Sequence, residues 1–208
     1  LGLIPKGETT MSDAANVIVG SGQAYIAPKG TALPSLTTQP NEATWVAAGF
    51  TPFGYTEDGV MITYTPTYKD IEVDEEMAAI DKRLIAEKAD VAIKLAEATL
   101  LNLLTAIPGG TLTEGATVST LTVGSPANPD QGEFVVAFQG PAPGLEANAG
   151  TMGRVVTFYR VKNTAAVTHH AQRKDKVVYA VKFDAMANSA NAAGNRLFQV
   201  IDYNPAGS

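Results

Sequence analysis

Residues 57–107 read EDGVMITYTPTYKDIEVDEEMAAIDKRLIAEKADVAIKLAEATLLNLLTAI. In 60–68, Val60, Ile62, Tyr64 and Tyr68 fall on one face of an extended chain, and Met61, Thr63, Thr65 and Thr67 on the other. This period of two, with β-branched residues, predicts a strand. Pro66 has no amide hydrogen, so the strand should lie at a sheet edge or bend there. An acidic stretch follows. Alternation then returns in 84–96, with Ala89, Val91, Ile93 and Leu95 opposite Lys88, Asp90 and Lys94. The period next changes: Leu100, Leu103, Leu104 and Ile107 are spaced i, i+3, i+4, i+7, one stripe of a helix. About three turns do not make a stable helix alone, so this stripe should dock on a sheet. Pro108-Gly109-Gly110 ends it. The segment is a frame with a charged protrusion, and none of it resembles catalytic machinery.

Strand signals continue on both sides. Residues 24–27 follow the turn Gly20-Ser21-Gly22, and a strand is expected near Trp45-Val46 after a loop rich in Pro, Thr and Ser. Downstream, 118–123, 134–139, 155–161, 177–183 and 197–203 read as strands between turn-rich breaks. One helix against these strands predicts a β-rich α+β fold: an antiparallel β-sandwich or barrel, one flanking α-helix and a long inter-strand loop. No internal repeat or linker is visible. We expect an N-terminal extension over 1–16, since Met11-Ser12 looks like a start, and one domain over 17–208.

The 208 residues bound the possibilities. A chain of this length can remove roughly 70% of its extended surface on folding. Charged residues make up 17%, below the usual ~25%, which hints at surface hidden between subunits. Without cysteine there is no disulfide scaffold, thiolate metal site or Cys nucleophile. No run approaches the ~20 apolar residues of a membrane span.

The net charge of −6 is unevenly placed. Residues 57–97 hold eleven acids against five bases, which is the whole excess. Residues 154–184 hold seven bases (Arg154, Arg160, Lys162, Arg173, Lys174, Lys176 and Lys182) against Asp175 and Asp184. Two readings stand: two solvated faces of a monomer, or complementary surfaces meeting between copies, where opposite fields fix register.

Reactive constellations are sparse. Gly20-Ser21-Gly22 lacks a third spaced glycine, and there is no Gly-Lys-Ser/Thr phosphate loop. His169 and His170 are the only histidines, and neighbours in a strand point to opposite faces. Asp70, Glu72 and Asp74 would share a face if extended, but the EF-hand glycine and twelfth-position Glu are missing. Ser119 or Ser125 with His169 would make a hydrolytic pair only across space. Glu75 and Glu76 show no apolar burial that would separate an acid from a base. Arg173-Lys174-Asp175-Lys176 has no aromatic interleaving, and a pI near 4.9 disfavours tight nucleic-acid binding. We expect no enzyme, cofactor or metal.

A Gly-rich strand ending in Ala-Pro (Gly20-Ser21-Gly22-Gln23-Ala24-Tyr25-Ile26-Ala27-Pro28) precedes Trp45. Tyr55-Thr56-Glu57-Asp58-Gly59-Val60, the acidic Ile71-Glu72-Val73-Asp74, and Leu95-Ala96-Glu97-Ala98-Thr99-Leu100-Leu101-Asn102-Leu103 follow. In this order the chain resembles the tail tube (major tail) proteins of long-tailed bacteriophages, best over 17–107. The resemblance implies a structural virion protein in the tail, assembled in the host cytoplasm. It implies hexameric rings closing inner strands into a continuous barrel, stacked into a hollow tube that conducts DNA without specific binding. Other tail proteins, such as tape measure and tail terminator, would be partners.

The loop that reaches the neighbouring ring would be 69–83, with Lys69, Asp70, Glu72, Asp74, Glu75, Glu76, Asp81, Lys82 and Arg83, charged and ordered only on assembly. A lumen that does not grip phosphate should favour acids and hydroxyls, which makes Thr63, Thr65 and Thr67 candidates to line it. Arg154, Arg160, Lys162, Arg173, Lys174 and Lys176 would form the complementary basic surface. A β-sandwich capsid-decoration or adhesion module, and a hydrolase using His169 or His170, are the alternatives.

Overall fold

The structure, a computed structural model, describes residues 22–72, 78–107, 109–124, 132–142, 153–168 and 177–203. In chain order the elements are β1 Gln23–Pro28, α1 Glu42–Ala47, β2 Thr51–Pro52, β3 Thr56–Ile71, β4 Asp81–Leu95 and α2 Leu100–Ala106. Then come β5 Thr111–Thr113, β6 Thr120–Thr122, β7 Glu133–Pro141, β8 Gly153–Asn163, β9 Tyr179–Ala185 and β10 Phe198–Asp202. An eight-stranded antiparallel sheet runs β2-β1-β7-β8-β9-β4-β3, with β10 paired to β8. The strands β5 and β6 form a separate hairpin.

Alternation along the strands divides the interior into two cores. Ala24, Ile26, Val136, Phe138, Val156 and Phe158 point inward to meet Val91, Ile93, Val181 and Phe183 of β4 and β9. The sheet therefore curls so that its two halves share one core. Among the described residues it does not close into a barrel, because β3 remains an edge. On the other face of β1, β7 and β8, Tyr25, Ala27, Val135, Ala137 and Val155 form a second core with Trp45 and Phe50.

Trp45 corrects one expectation. It sits in a helix, α1, and not in a strand. Asn41 caps α1, its side chain accepting from the Thr44 amide at 2.9 Å, and Gly49 at φ 89 turns the chain after it. A side-chain cap plus a left-handed glycine fixes one short turn of helix more strongly than the β-branched composition opposes it. The described residues therefore carry two helices, and α1 covers the outer face of the β1-β7-β8 half.

The second helix, α2, begins at its Thr99 cap, which accepts from the Asn102 amide at 3.1 Å. Its docking differs from the leucine stripe. Asn102, Thr105 and Ala106 are the buried positions, while Leu100 is exposed. Leu103 is half-buried against the main core; Leu104 and Ile107 are also half-buried. Asn102 Nδ2 donates to the carbonyls of Phe53 and Glu97 at 3.1 and 2.8 Å, and Asn163 Nδ2 donates to the Ala106 carbonyl. Paired polar groups thus anchor the helix where the periodicity indicated apolar contact.

Candidate assembly interface

The longest pairing in the molecule is the β3–β4 hairpin, from Thr56↔Leu95 to Ile71↔Asp81. Of the segment 69–83, expected as a loop, the two ends are strand: 69–71 belong to β3 and 81–83 to β4. Lys69 pairs with Arg83, Asp70 with Lys82 and Ile71 with Asp81, and Lys82 Nζ lies 2.9 Å from Asp70 Oδ1. The charges that read as a solvated loop are neighbours across a ladder. Glu72 is exposed beyond it; Asp74, Glu75 and Glu76 lie outside the described residues.

A third strand accompanies only part of this hairpin. β9 pairs with β4 from Asp90 to Leu95 and no farther. Beyond Thr63 the hairpin is a two-stranded ribbon whose edges are unpaired among the described residues. Pro66 sits in the edge strand, as its missing amide requires, and a bulge falls between Thr67 and Tyr68. One ribbon face continues the line of the main core: Ile62 and Tyr64 are opposite Val91 and Ala89, and Tyr68 is opposite Leu84. Only the base of this face is covered. Tyr64 meets Phe198 edge-on at 6.2 Å, and its hydroxyl donates to Glu87 Oε1 at 3.1 Å. Farther out, Tyr68 is 54% and Ile85 58% exposed. Tyr64, Leu84 and Ile85 line a groove of ≈ 650 Å³ whose opposite wall is Ala193–Phe198 of the approach to β10. A two-stranded ribbon is marginal in water, and an apolar face on a long edge invites another chain.

The other ribbon face carries Thr63, Thr65 and Thr67, all exposed. They are in register with Asp90, Lys88 and Ala86.

The described bases of 154–184 are engaged within their own chain. Arg154 donates to both oxygens of Asp202 at 2.6 and 2.7 Å, which holds that carboxyl below its ordinary value. Arg160 donates to both oxygens of Glu133 at 2.7 and 2.9 Å, and Lys29 Nζ approaches the same group at 3.0 Å. Lys162 lies in β8, in register with Glu133 and Asp184. Arg173, Lys174 and Lys176, like His169, His170 and Ser125, lie outside the described residues; Ser119 is exposed. Sequence reading missed these carboxylate partners because they lie far away in the chain and meet only through sheet pairing.

The Glu133 cluster yields a pH prediction. Its side chain is 5% exposed, and the Arg160 hydrogen bonds, with help from Lys29, lower its pKa to about 2 against the opposing effect of burial. A carboxyl depressed on folding stabilises above its unfolded pKa and loses that contribution as pH falls through the folded one. Stability should decline between about pH 4.5 and about pH 2. Glu133→Gln should cost about 1–3 kcal/mol at pH 7, the scale of charge-assisted hydrogen bonds, and flatten this acid limb. Urea melts across pH check both; an unchanged acid limb in the variant would contradict the assignment.

No group of metal-ligating side chains occurs among the described residues, and none of the described helices is long and apolar enough to cross a membrane. The described residues form a curled, strand-rich sheet that ends in the exposed β3 edge, an architecture without a catalytic constellation among those residues. The family model for phage tail tube protein matches residues 9–206, nearly the whole length. The chain belongs to that family, and it is a structural component of the viral tail. No curated protein matches it.

Proposed function

We propose that copies of this subunit, each one domain over 17–208, close into hexameric rings that stack into a hollow tube, the conduit for phage DNA. The observation that carries this reading is the ribbon beyond Thr63, with Tyr68 and Ile85 more than half exposed in line with the core. A neighbouring copy seated on that face and along the β3 edge extends both the core and the sheet. Each contact joins two different surfaces, and repeated head-to-tail contacts make rings or filaments. The role is mechanical and not catalytic. Assembly takes place in the host cytoplasm, with tape measure and tail terminator proteins as further partners, and needs no membrane. Thr63, Thr65 and Thr67 face the lumen. Negative-stain images of the purified protein at rising concentration should show hollow tubes; single subunits under every condition would contradict the proposal.

The tip of the hairpin joins successive rings. Glu72 with Asp74, Glu75 and Glu76 docks on cations of the adjacent ring, for which Arg173, Lys174 and Lys176 remain the candidates, since Arg154 and Arg160 already bind carboxylates. Exposed ion pairs contribute about 0.2–1 kcal/mol each, so the effect is collective and weakens with salt. Glu72→Lys with Asp74→Lys and Glu75→Lys should leave the fold intact and abolish stacking. Unchanged tube length and yield would rule out the docking role.

A further inference from the structure

The two halves of the sheet differ on their outer faces. The β1-β7-β8 half is covered by α1 and the second core. On the β9-β4-β3 half, the side chains facing away from the core are polar or small apart from the exposed Met61, and charged groups there stand in an ordered array. Asp90 and Asp184 are directly opposed in register, a like-charge pair that would be unfavourable alone. Two lysines resolve it on the diagonals. Lys182 Nζ lies 3.0 Å from Asp90 Oδ1, and Lys88 Nζ lies 3.7 Å from Asp184 Oδ2.

The rest of this face follows the same rule. Lys94 Nζ contacts Asp58 Oδ2 at 2.5 Å and is in register with Glu57. Lys162 is in register with Asp184. Around the array the surface offers hydroxyls from Thr63 and Thr65. It also has a shallow ≈ 320 Å³ depression whose lining includes Met61, Ala92 and Ala180. Up to Thr67, the lysines of this face therefore each stand beside a carboxylate. Lys69 and Arg83 pair only beyond the bulge, toward the tip.

We propose that this face is a charge-cancelled sliding surface for duplex DNA, on which Asp90 and Asp184 hold Lys182 and Lys88 away from phosphate. The inference rests on the conduit reading above and adds a mechanism to it. Phosphate contacts strengthen binding by releasing counterions when free Lys or Arg neutralise them. A lysine already matched to a carboxylate has little to gain from a phosphate. Duplex can then pass without being retained.

Tubes carrying Asp90→Asn and Asp184→Asn keep the side-chain shapes and leave two lysines per subunit without a counter-charge. Assembled tubes are mixed with short labelled duplex DNA at ~50 mM salt, treated with nuclease, and scored for protected DNA. Wild-type tubes should protect no more DNA than the nuclease-treated background. The double variant should protect at least about tenfold more, and the gain should vanish near 200 mM salt. If the double variant does not assemble, Asp184→Asn alone frees the exposed Lys88 and is read the same way. Protection equal to wild type overturns the proposal. So does wild-type retention of DNA, or extra binding that stays nuclease-sensitive, which would put this face on the tube exterior. Failure of the wild-type protein to form any tube is a separate result and refutes the conduit reading itself.

Discussion

Tyr68→Asp combined with Ile85→Asp should abolish tube formation while leaving the folded monomer nearly as stable as before. Both side chains are mostly exposed in the single subunit, and substitutions at such surface positions usually stay within about 0.5 kcal/mol. In the tube proposed above they form the apolar core of a subunit contact. Burying an aromatic or aliphatic side chain stabilises by about 1.5–3 kcal/mol, and a carboxylate placed there must be desolvated as well. Losing even about 3 kcal/mol per contact weakens it by roughly two orders of magnitude, and the proposed tube would repeat that contact at every subunit. Sedimentation should show monomer where the wild type pellets as tubes, with superimposable thermal melts. Normal tubes from the double variant would mean that the apolar ribbon face is not a contact.

Trp45→Ala should have the largest effect on the subunit itself. Trp45 is fully buried, stacks on Tyr25 at 5.2 Å and meets Phe50 edge-on at 5.0 Å. Its Nε1 donates to Gln139 Oε1 at 2.9 Å, tying α1 to β7. Phe/Trp→Ala changes in cores cost about 3–5 kcal/mol, a large part of a typical net stability of about 5–15 kcal/mol. For a chain of this size the melting temperature should fall by roughly 6–20 °C. Trp45→Phe keeps an aromatic stack and loses the hydrogen bond, so it should cost distinctly less. Calorimetry on both variants checks this; a loss below about 1 kcal/mol for Trp45→Ala would mean that the second core contributes little.

These two sites show what the amino-acid order revealed. Alternation in 60–68 and 84–95 placed β3 and β4 and the edge position of Pro66, because a period of two is a local signal. The family was also legible in the order of those segments. Trp45 was misread since Ala-Thr-Trp-Val-Ala has strand composition, while the deciding signals, Asn41 and Gly49, flank it. The leucines of α2 obscured Asn102 and Asn163, whose role depends on carbonyls distant in sequence. The two ends of the arm, 69–71 and 81–83, read as loop because Asp70 and Lys82 look solvated until the hairpin brings them together. The charge split likewise dissolved in part into long-range pairs such as Arg154–Asp202 and Arg160–Glu133, which only the sheet register creates.

The central claim is that the β3–β4 ribbon is completed by other copies. A cryo-electron microscopy reconstruction of the assembled tube tests it most directly, by locating that hairpin. The account predicts Tyr68 and Ile85 buried against a neighbouring subunit, the β3 edge paired to another chain, and Thr63, Thr65 and Thr67 on the lumen wall. A ribbon standing free on the outside of the tube, its edge unpaired and its tyrosines in solvent, would contradict it.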